Sequence, residues 1–106
     1  MKLLSYEHGG RARFGAVVDG GIVDLQAALN GRYATLRALL EAGALAEAAA
    51  ALAGRRPDVA LDAVSLLPVI PDPDKIVCVG LNYGEHVRET GRTVTETPVL
   101  FLRMPD

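Results

Sequence analysis

Three prolines within six residues divide this chain of 106 residues into two parts. They are Pro68, Pro71 and Pro73. Each proline fixes φ and removes a backbone donor, so neither a helix nor a central strand continues through them. We therefore predict a small α/β domain over residues 1–67, a proline-rich linker over 68–74, and the incomplete beginning of a second domain over 75–106. The expected fold class is α+β, with a β-hairpin and helices first and strands with a short helix afterwards.

The first part of the chain has the pattern of short strands followed by helices. An Asp-Gly dipeptide at positions 19–20 separates two runs of β-forming residues, 13–18 and 21–25, which is a strong signal for a hairpin. Leucines at helical spacing then predict an amphipathic helix over residues 33–42. A second, alanine-rich helix should follow and end just before Gly54.

Composition and charge exclude several classes of protein. The net charge of -2 provides no basic footprint for nucleic acid. The single cysteine, Cys78, rules out an internal disulfide and a thiolate metal cage. No apolar run approaches the length of a transmembrane helix, and the N-terminus lacks the pattern of a signal peptide. We therefore expect a cytoplasmic protein that binds neither nucleic acid nor membrane.

The segment after the linker combines a strand with a capped helix. An apolar, β-branched run over residues 75–79 stops at Gly80. Asn82 and Glu85 then occupy N-cap and N3 positions, which is an asparagine variant of the capping box. Gly91 provides a stop signal. The sequence therefore predicts a strand that is followed at once by a short helix.

Two polar side chains of this short helix are candidates for acid–base chemistry. His86 and Glu89 are three residues apart, so both lie on one face of a helix. An imidazole paired with a carboxylate can act as a general base whose orientation the carboxylate fixes. An exposed histidine that pairs incidentally with a glutamate has the same spacing, so the spacing alone leaves both interpretations open.

A final strand is predicted over residues 98–102. Such a strand needs partners and a covering layer. Either it pairs back with the strand over residues 75–79, or the polypeptide is the first part of a longer enzyme. We expect the second.

The string from 75 to 89 resembles the opening of the catalytic domain in the fumarylacetoacetate hydrolase family, which implies that residues 75–106 are the incomplete beginning of a mostly β domain. It reads K-I-V-C-V-G-L-N-Y-G-E-H-V-R-E and matches the family pattern K-I-x-C-V-G-x-N-Y-x-x-H-x-x-E. The resemblance continues into the Pro-Val-Leu-Phe run at 98–101. Residues 66–71 are similar to the linker of the family, and residues 1–53 look like the small N-terminal domain of its bacterial members.

This resemblance implies a metal-dependent enzyme that acts on diketo, oxo-acid or enol-acid substrates by C–C hydrolysis, decarboxylation or isomerisation. His86 matches the general base of the family and Glu89 matches its dyad partner. Tyr83 and Arg103 would contribute to substrate binding. The resemblance further implies Mg²⁺ or Mn²⁺ in the complete enzyme, a small-molecule oxo-acid as its binding partner, and a homodimer.

Two departures from the family pattern limit what is carried over. The family usually has lysine at the end of the final strand, where this chain has Arg103, whose planar guanidinium presents different donor geometry. The Glu-x-Glu pair and the Asp that hold the metal in the family lie downstream of this point, and the chain has no Glu-x-Glu. Hard cations need several clustered oxygen ligands, so we expect no metal site in this chain and no activity from it alone.

Two other classes of protein compete with the enzyme. A non-catalytic interaction domain, or one half of a split enzyme, would share the same motif. A small nucleotide-binding α/β protein fails because both G-x-G-x-x-G and the P-loop motif are missing. The genomic sequence directly after Asp106 separates the enzyme from the interaction domain or split form. An in-frame continuation with Glu-x-Glu supports the enzyme, and a stop codon supports the other.

Overall fold

The structure is a computed structural model in which residues 1–80 and 99–103 are described. The chain divides into two compact units, Met1–Pro71 and Asp72–Asp106. The division falls within the proline-rich segment, while the domain limits expected from the sequence stay a prediction. Helices and strands are mixed and the sheets are antiparallel, which is compatible with the predicted α+β class.

An antiparallel sheet of five strands forms the framework of the first unit. Its strands are β1 (Leu3–His8), β2 (Arg11–Val18), β3 (Gly21–Asp24), β4 (Val59–Ala60) and β5 (Ser65–Leu66). Across the sheet they follow the order β4-β3-β2-β1-β5.

Two-residue turns join the first three strands. Gly9 and Gly10 connect β1 to β2, and Asp19 and Gly20 connect β2 to β3; all four residues have positive φ. Type I′ hairpin turns require positive φ at both central positions, which glycine and aspartate tolerate. The hairpin predicted at positions 19–20 is therefore confirmed.

The sheet is curled rather than flat. β4 and β5 occupy its opposite edges, and a flat sheet would separate them by four strand spacings, about 19 Å. Residues 61–64 connect the two strands, and three of them form a 3₁₀ turn, Leu61–Ala63, which advances only about 2 Å per residue. This connection is too short for a flat sheet, so the two edges must approach each other.

Alternation along the strands sends side chains into two separate cores. Phe14 and Ala16 of β2 belong to a buried cluster on one face of the sheet. Tyr6 of β1 and Ile22 of β3 belong to a second buried cluster. Successive residues of a strand point to opposite faces, and curling of the sheet allows both faces to bury apolar side chains.

Three short helices supply the rest of the first cluster. They are α1 (Leu25–Ala28), α2 (Leu36–Glu41) and α3 (Leu45–Leu52). Each helix contributes at least one buried side chain: Leu25, Leu36, Leu39 and Ala48.

The helix boundaries correct the prediction in two places. α1 replaces the end of the strand predicted over 21–25, because the Asp24 carboxylate caps it by accepting a hydrogen bond from Ala27 N–H (3.0 Å). The helix predicted over 33–42 begins only at Leu36, because Thr35 is its N-cap. α3 ends before Gly54, which has φ +72°, as predicted.

The described part of the second unit is a two-stranded antiparallel hairpin of β6 (Ile76–Gly80) and β7 (Val99–Arg103). The strand predicted over 75–79 begins and ends one residue later. The final strand pairs back with it, which is the first of the two alternatives given above and not the expected one. The expectation of a longer enzyme stays a prediction, because pairing within the hairpin does not test it.

Candidate active site

The candidate catalytic residues belong to the connection between β6 and β7. Gly80, which ends β6, is the partner of Val99, which begins β7, and opposed residues of antiparallel strands lie about 5 Å apart. The 18 residues between them therefore leave and re-enter the hairpin at neighbouring points. His86, Glu89 and Tyr83 lie in this connection, as does the predicted helix, and all fall outside the described residues. Their roles as base, dyad partner and substrate-binding residue stay predictions.

Arg103, the fourth predicted site residue, lies at the other end of β7. Its backbone partner is Ile76, the first residue of β6. Four residue steps along a strand amount to about 13 Å, so the hairpin separates the backbone of Arg103 from the point where the connection begins. Substrate binding by Arg103 also stays a prediction.

A polar cluster in the first unit was missed by the sequence reasoning. Arg13 Nε forms an ion pair with Asp24 Oδ2, while Asp24 Oδ1 caps α1. Asp58 Oδ2 accepts a hydrogen bond of 2.8 Å from the backbone N–H of Asp24. The register of the first hairpin places Tyr6 directly opposite Arg13. The register of the second hairpin pairs Asp24 with Gly15, two residues from Arg13 on the same face of the sheet. These two registers are the signal that could have revealed the contacts of Arg13. These contacts tie β2, β3, α1 and the loop before β4 together, which is a stabilising role.

Burial raises the pKa of Tyr6 in this cluster to about 12, and the negative charge of Asp24 acts in the same direction. The side chain is only 1% exposed, so an ionised phenolate would lose most of its hydration. Arg13 lowers the pKa through its charge and a hydrogen bond, but burial is the largest single influence. Tyr6 therefore stays neutral at physiological pH and is no candidate for a general base.

We expect the stability of the chain to fall between about pH 10 and pH 12. The tyrosine pKa is about 10 in an unfolded chain and about 12 for folded Tyr6, so over this range the unfolded chain loses its proton first. The stabilisation is complete below pH 10 and is lost as the pH rises through 12, amounting to about 2 to 3 kcal/mol. Urea unfolding of wild type and Tyr6→Phe at about pH 9 and pH 11 measures this. An equally steep alkaline decline in Tyr6→Phe would contradict the raised pKa.

Two pockets of the first unit do not suit an oxo-acid substrate. A cavity of ≈ 40 Å³ lies beside Ser5, Arg13 and Thr35, far below the roughly 300 to 1,000 Å³ of typical ligand sites. A larger depression of ≈ 320 Å³ lies at the β2–β3 turn and is lined by Asp19 and Asp58, with no cationic side chain among its described lining residues. Two carboxylates would repel an anionic substrate.

The described residues also contain no cluster suited to a metal ion. Within residues 1–80 and 99–103, no three His, Cys, Asp or Glu side chains form a group that could hold one. In the same part of the chain, no helix has the length and apolar character needed to cross a membrane.

No protein-family model matches the chain, but individual proteins do. The mitochondrial oxaloacetate tautomerase Fahd2a of Rattus norvegicus is 37% identical over 86 residues, covering 79% of this chain and 28% of the rat protein. Mitochondrial oxaloacetate tautomerase FAHD2A of Homo sapiens is 36% identical over 84 residues, covering 77% of this chain and 27% of the human protein. Oxaloacetate tautomerase YcgM of Escherichia coli is 55% identical over 29 residues, covering 27% of this chain and 13% of the bacterial protein.

The similarity spans both compact units. A stretch covering 79% of 106 residues is about 84 residues long, so it includes residues 24–83 wherever it begins, and with them β6. The homologues are oxo-acid enzymes, and the chain belongs through them to the fumarylacetoacetate hydrolase family. It spans little more than a quarter of the length of the mitochondrial relatives that it matches. Because those relatives are named mitochondrial, the cytoplasmic location stays a prediction.

Proposed function

We propose that this chain acts in the interconversion of the keto and enol forms of an oxaloacetate-like 2-oxo diacid. One observation carries the proposal: the mitochondrial and bacterial relatives described above are all named oxaloacetate tautomerases. The sequence of the β6–β7 connection fits this reaction, because tautomerisation needs a proton acceptor beside the substrate and consumes no second reactant.

In the proposed mechanism His86 moves the proton. Its neutral imidazole accepts a proton from the carbon next to the substrate's keto group, so that the C–H bond breaks and its electron pair forms the C=C bond of an enolate. The imidazolium then donates the proton to the enolate oxygen, which gives the enol and restores the neutral imidazole. Glu89 would fix the imidazole tautomer and stabilise the imidazolium between the two steps.

The remaining two site residues would bind and orient the substrate. Arg103 would pair with a substrate carboxylate, since a guanidinium matches a carboxylate through two parallel hydrogen bonds. Tyr83 would line the pocket beside the reacting carbon. Both roles come from the family resemblance and from the chemistry of the side chains.

The described residues do not fit the divalent cation that the resemblance implies. Mg²⁺ and Mn²⁺ need several clustered oxygen ligands, and the described ranges contain no such group. The proposed mechanism therefore has no step that uses a metal ion. For the complete gene product, we propose that it binds Mg²⁺ or Mn²⁺ and forms a homodimer.

The test is an assay of the complete product of the gene that encodes residues 1–106. Loss of enol absorbance in the ultraviolet should show that the protein accelerates ketonisation of enol-oxaloacetate above the buffer-catalysed rate. C–C hydrolysis of a diketo acid is the matched control reaction, and it is measured as the release of the two acid products. Hydrolysis without tautomerisation would replace the proposed reaction by another of the same family, and the absence of both would overturn it.

The chain of 106 residues should not bind Mg²⁺ or Mn²⁺ tightly. The described residues lack a carboxylate cluster, and the sequence has no Glu-x-Glu. Calorimetric titration of the chain with each ion measures this directly. A stoichiometric site of micromolar affinity would contradict the prediction.

A further inference from the structure

Residues 65–71 form a segment that we call the strap, because it runs along β1 and leads toward the second unit. It starts as β5, where Ser65 and Leu66 pair with β1. The N–H of Leu67 then donates a hydrogen bond of 3.0 Å to the carbonyl of Ser5. The hydroxyl of Ser5 donates one of 2.7 Å to the carbonyl of Val69.

The strap is more exposed than β1, the strand with which it pairs. Leu66 and Val69 are 65% and 56% exposed, and Ile70 is only partly buried against the first core cluster. The small cavity of ≈ 40 Å³ touches the strap at Leu67 and Pro71. Elements with few buried apolar contacts open locally at low free-energy cost.

Ser5, in contrast, is buried within the β1–β2 hairpin. It is 3% exposed and pairs with Phe14 in the β1–β2 hairpin. A buried hydroxyl needs a hydrogen-bond partner, and the strap carbonyl of Val69 supplies one. Ser5 is thus bonded to the strap through both its backbone and its side chain.

We propose that the strap detaches reversibly from β1 and that the hydrogen bonds of Ser5 hold it in the docked state. While the strap is docked, four residues, 72–75, connect Pro71 to β6. After release the connection comprises eleven residues, 65–75, while β1, β2 and β3 stay folded. The linker before the β6–β7 hairpin therefore has a short and a long state. The proposal stands on the first unit and the linker, and does not rest on the proposed function.

Amide hydrogen exchange of the 106-residue chain tests this proposal, with Leu67 N–H as the reporter of docking. Ser5→Ala removes one hydrogen bond, so the opening equilibrium of the strap should rise about fivefold. Leu67 should then exchange about five times faster. The N–H of Ala48, which donates to the Ala44 carbonyl within 3.0 Å in the first core cluster, should be unaffected and serves as internal reference.

Tyr33→Phe is the matched control, because it also deletes one hydroxyl hydrogen bond, here 2.9 Å to Glu47, away from the strap. It should leave Leu67 unchanged. Ile70→Ala loosens the strap without touching Ser5 and should accelerate Leu67 as well, which keeps the test open if Ser5→Ala folds poorly. Equal acceleration of Leu67 and Ala48 in both strap variants would show global rather than local opening and overturn the proposal. An unchanged Leu67 rate in both would overturn it too.

Discussion

His86→Ala should lower the turnover number of the complete gene product by about 10²- to 10⁴-fold, which is the usual contribution of a positioned acid–base group. Alanine at position 86 has no group that can accept the proton from the substrate carbon. Because His86 is not expected to hold a metal ion, metal affinity should change little. Steady-state ketonisation of enol-oxaloacetate measures the first effect and calorimetric titration measures the second.

The chain contains its own control for this experiment. Its other histidine, His8, ends β1 and is exposed, so His8→Ala should leave turnover unchanged. Glu89→Gln should cost less than His86→Ala, because the imidazole is still present and only its orientation and charge stabilisation weaken. Retention of more than about a third of the wild-type turnover by His86→Ala would mean that another group is the base.

The parts of the fold that depend on local chemistry were predictable. The turn at positions 19–20 follows from two residues that tolerate positive φ between β-forming runs. The end of α3 follows from Gly54, which has the positive φ of a residue just beyond a helix. In both cases neighbouring residues alone determine the conformation.

The features that depend on distant residues were not predictable. α1 contains only four residues, which are too few for a hydrophobic period to be recognised. Asp24 caps this helix, and contacts with Arg13 and Asp58 hold Asp24 in place. Asp24 and Asp58 are 34 positions apart in the sequence. The hydrogen bond between Ser5 and Val69 joins residues 64 positions apart, and no sequence pattern predicts it.

The candidate site shows the same division. The motif from 75 to 89 identifies the family without any knowledge of geometry, and the relatives confirm that identification. The positions of the side chains do not follow from the motif, because a two-stranded hairpin is at best marginally stable by itself. Val77, Val79 and Leu102 of this hairpin are exposed, so these side chains add little buried apolar surface to it.

Phe14→Ala should destabilise the first unit by about 3 to 5 kcal/mol, the usual cost of deleting a buried aromatic side chain. Phe14 is 1% exposed and packs with helix residues such as Leu25, Leu36 and Leu39 in the first core cluster. Three separate helices contact this cluster, so no single element can move in to fill the space that the ring leaves. A loss of this size is a large share of the roughly 5 to 15 kcal/mol that stabilises a typical domain. Urea unfolding followed by far-ultraviolet circular dichroism measures it.

Two further variants separate loss of packing from loss of surface contacts. Phe14→Leu keeps most of the apolar volume and should cost clearly less than Phe14→Ala, because the cavity is smaller. Leu66→Ala removes a side chain that is 65% exposed and should change the free energy of unfolding by no more than about 0.5 kcal/mol. If Phe14→Ala and Leu66→Ala had similar effects below about 1 kcal/mol, the cluster around Phe14 would not be the core that holds α1, α2 and α3 on the sheet. The first unit would then owe its stability mainly to the second cluster, around Tyr6 and Ile22, on the other side of the curled sheet.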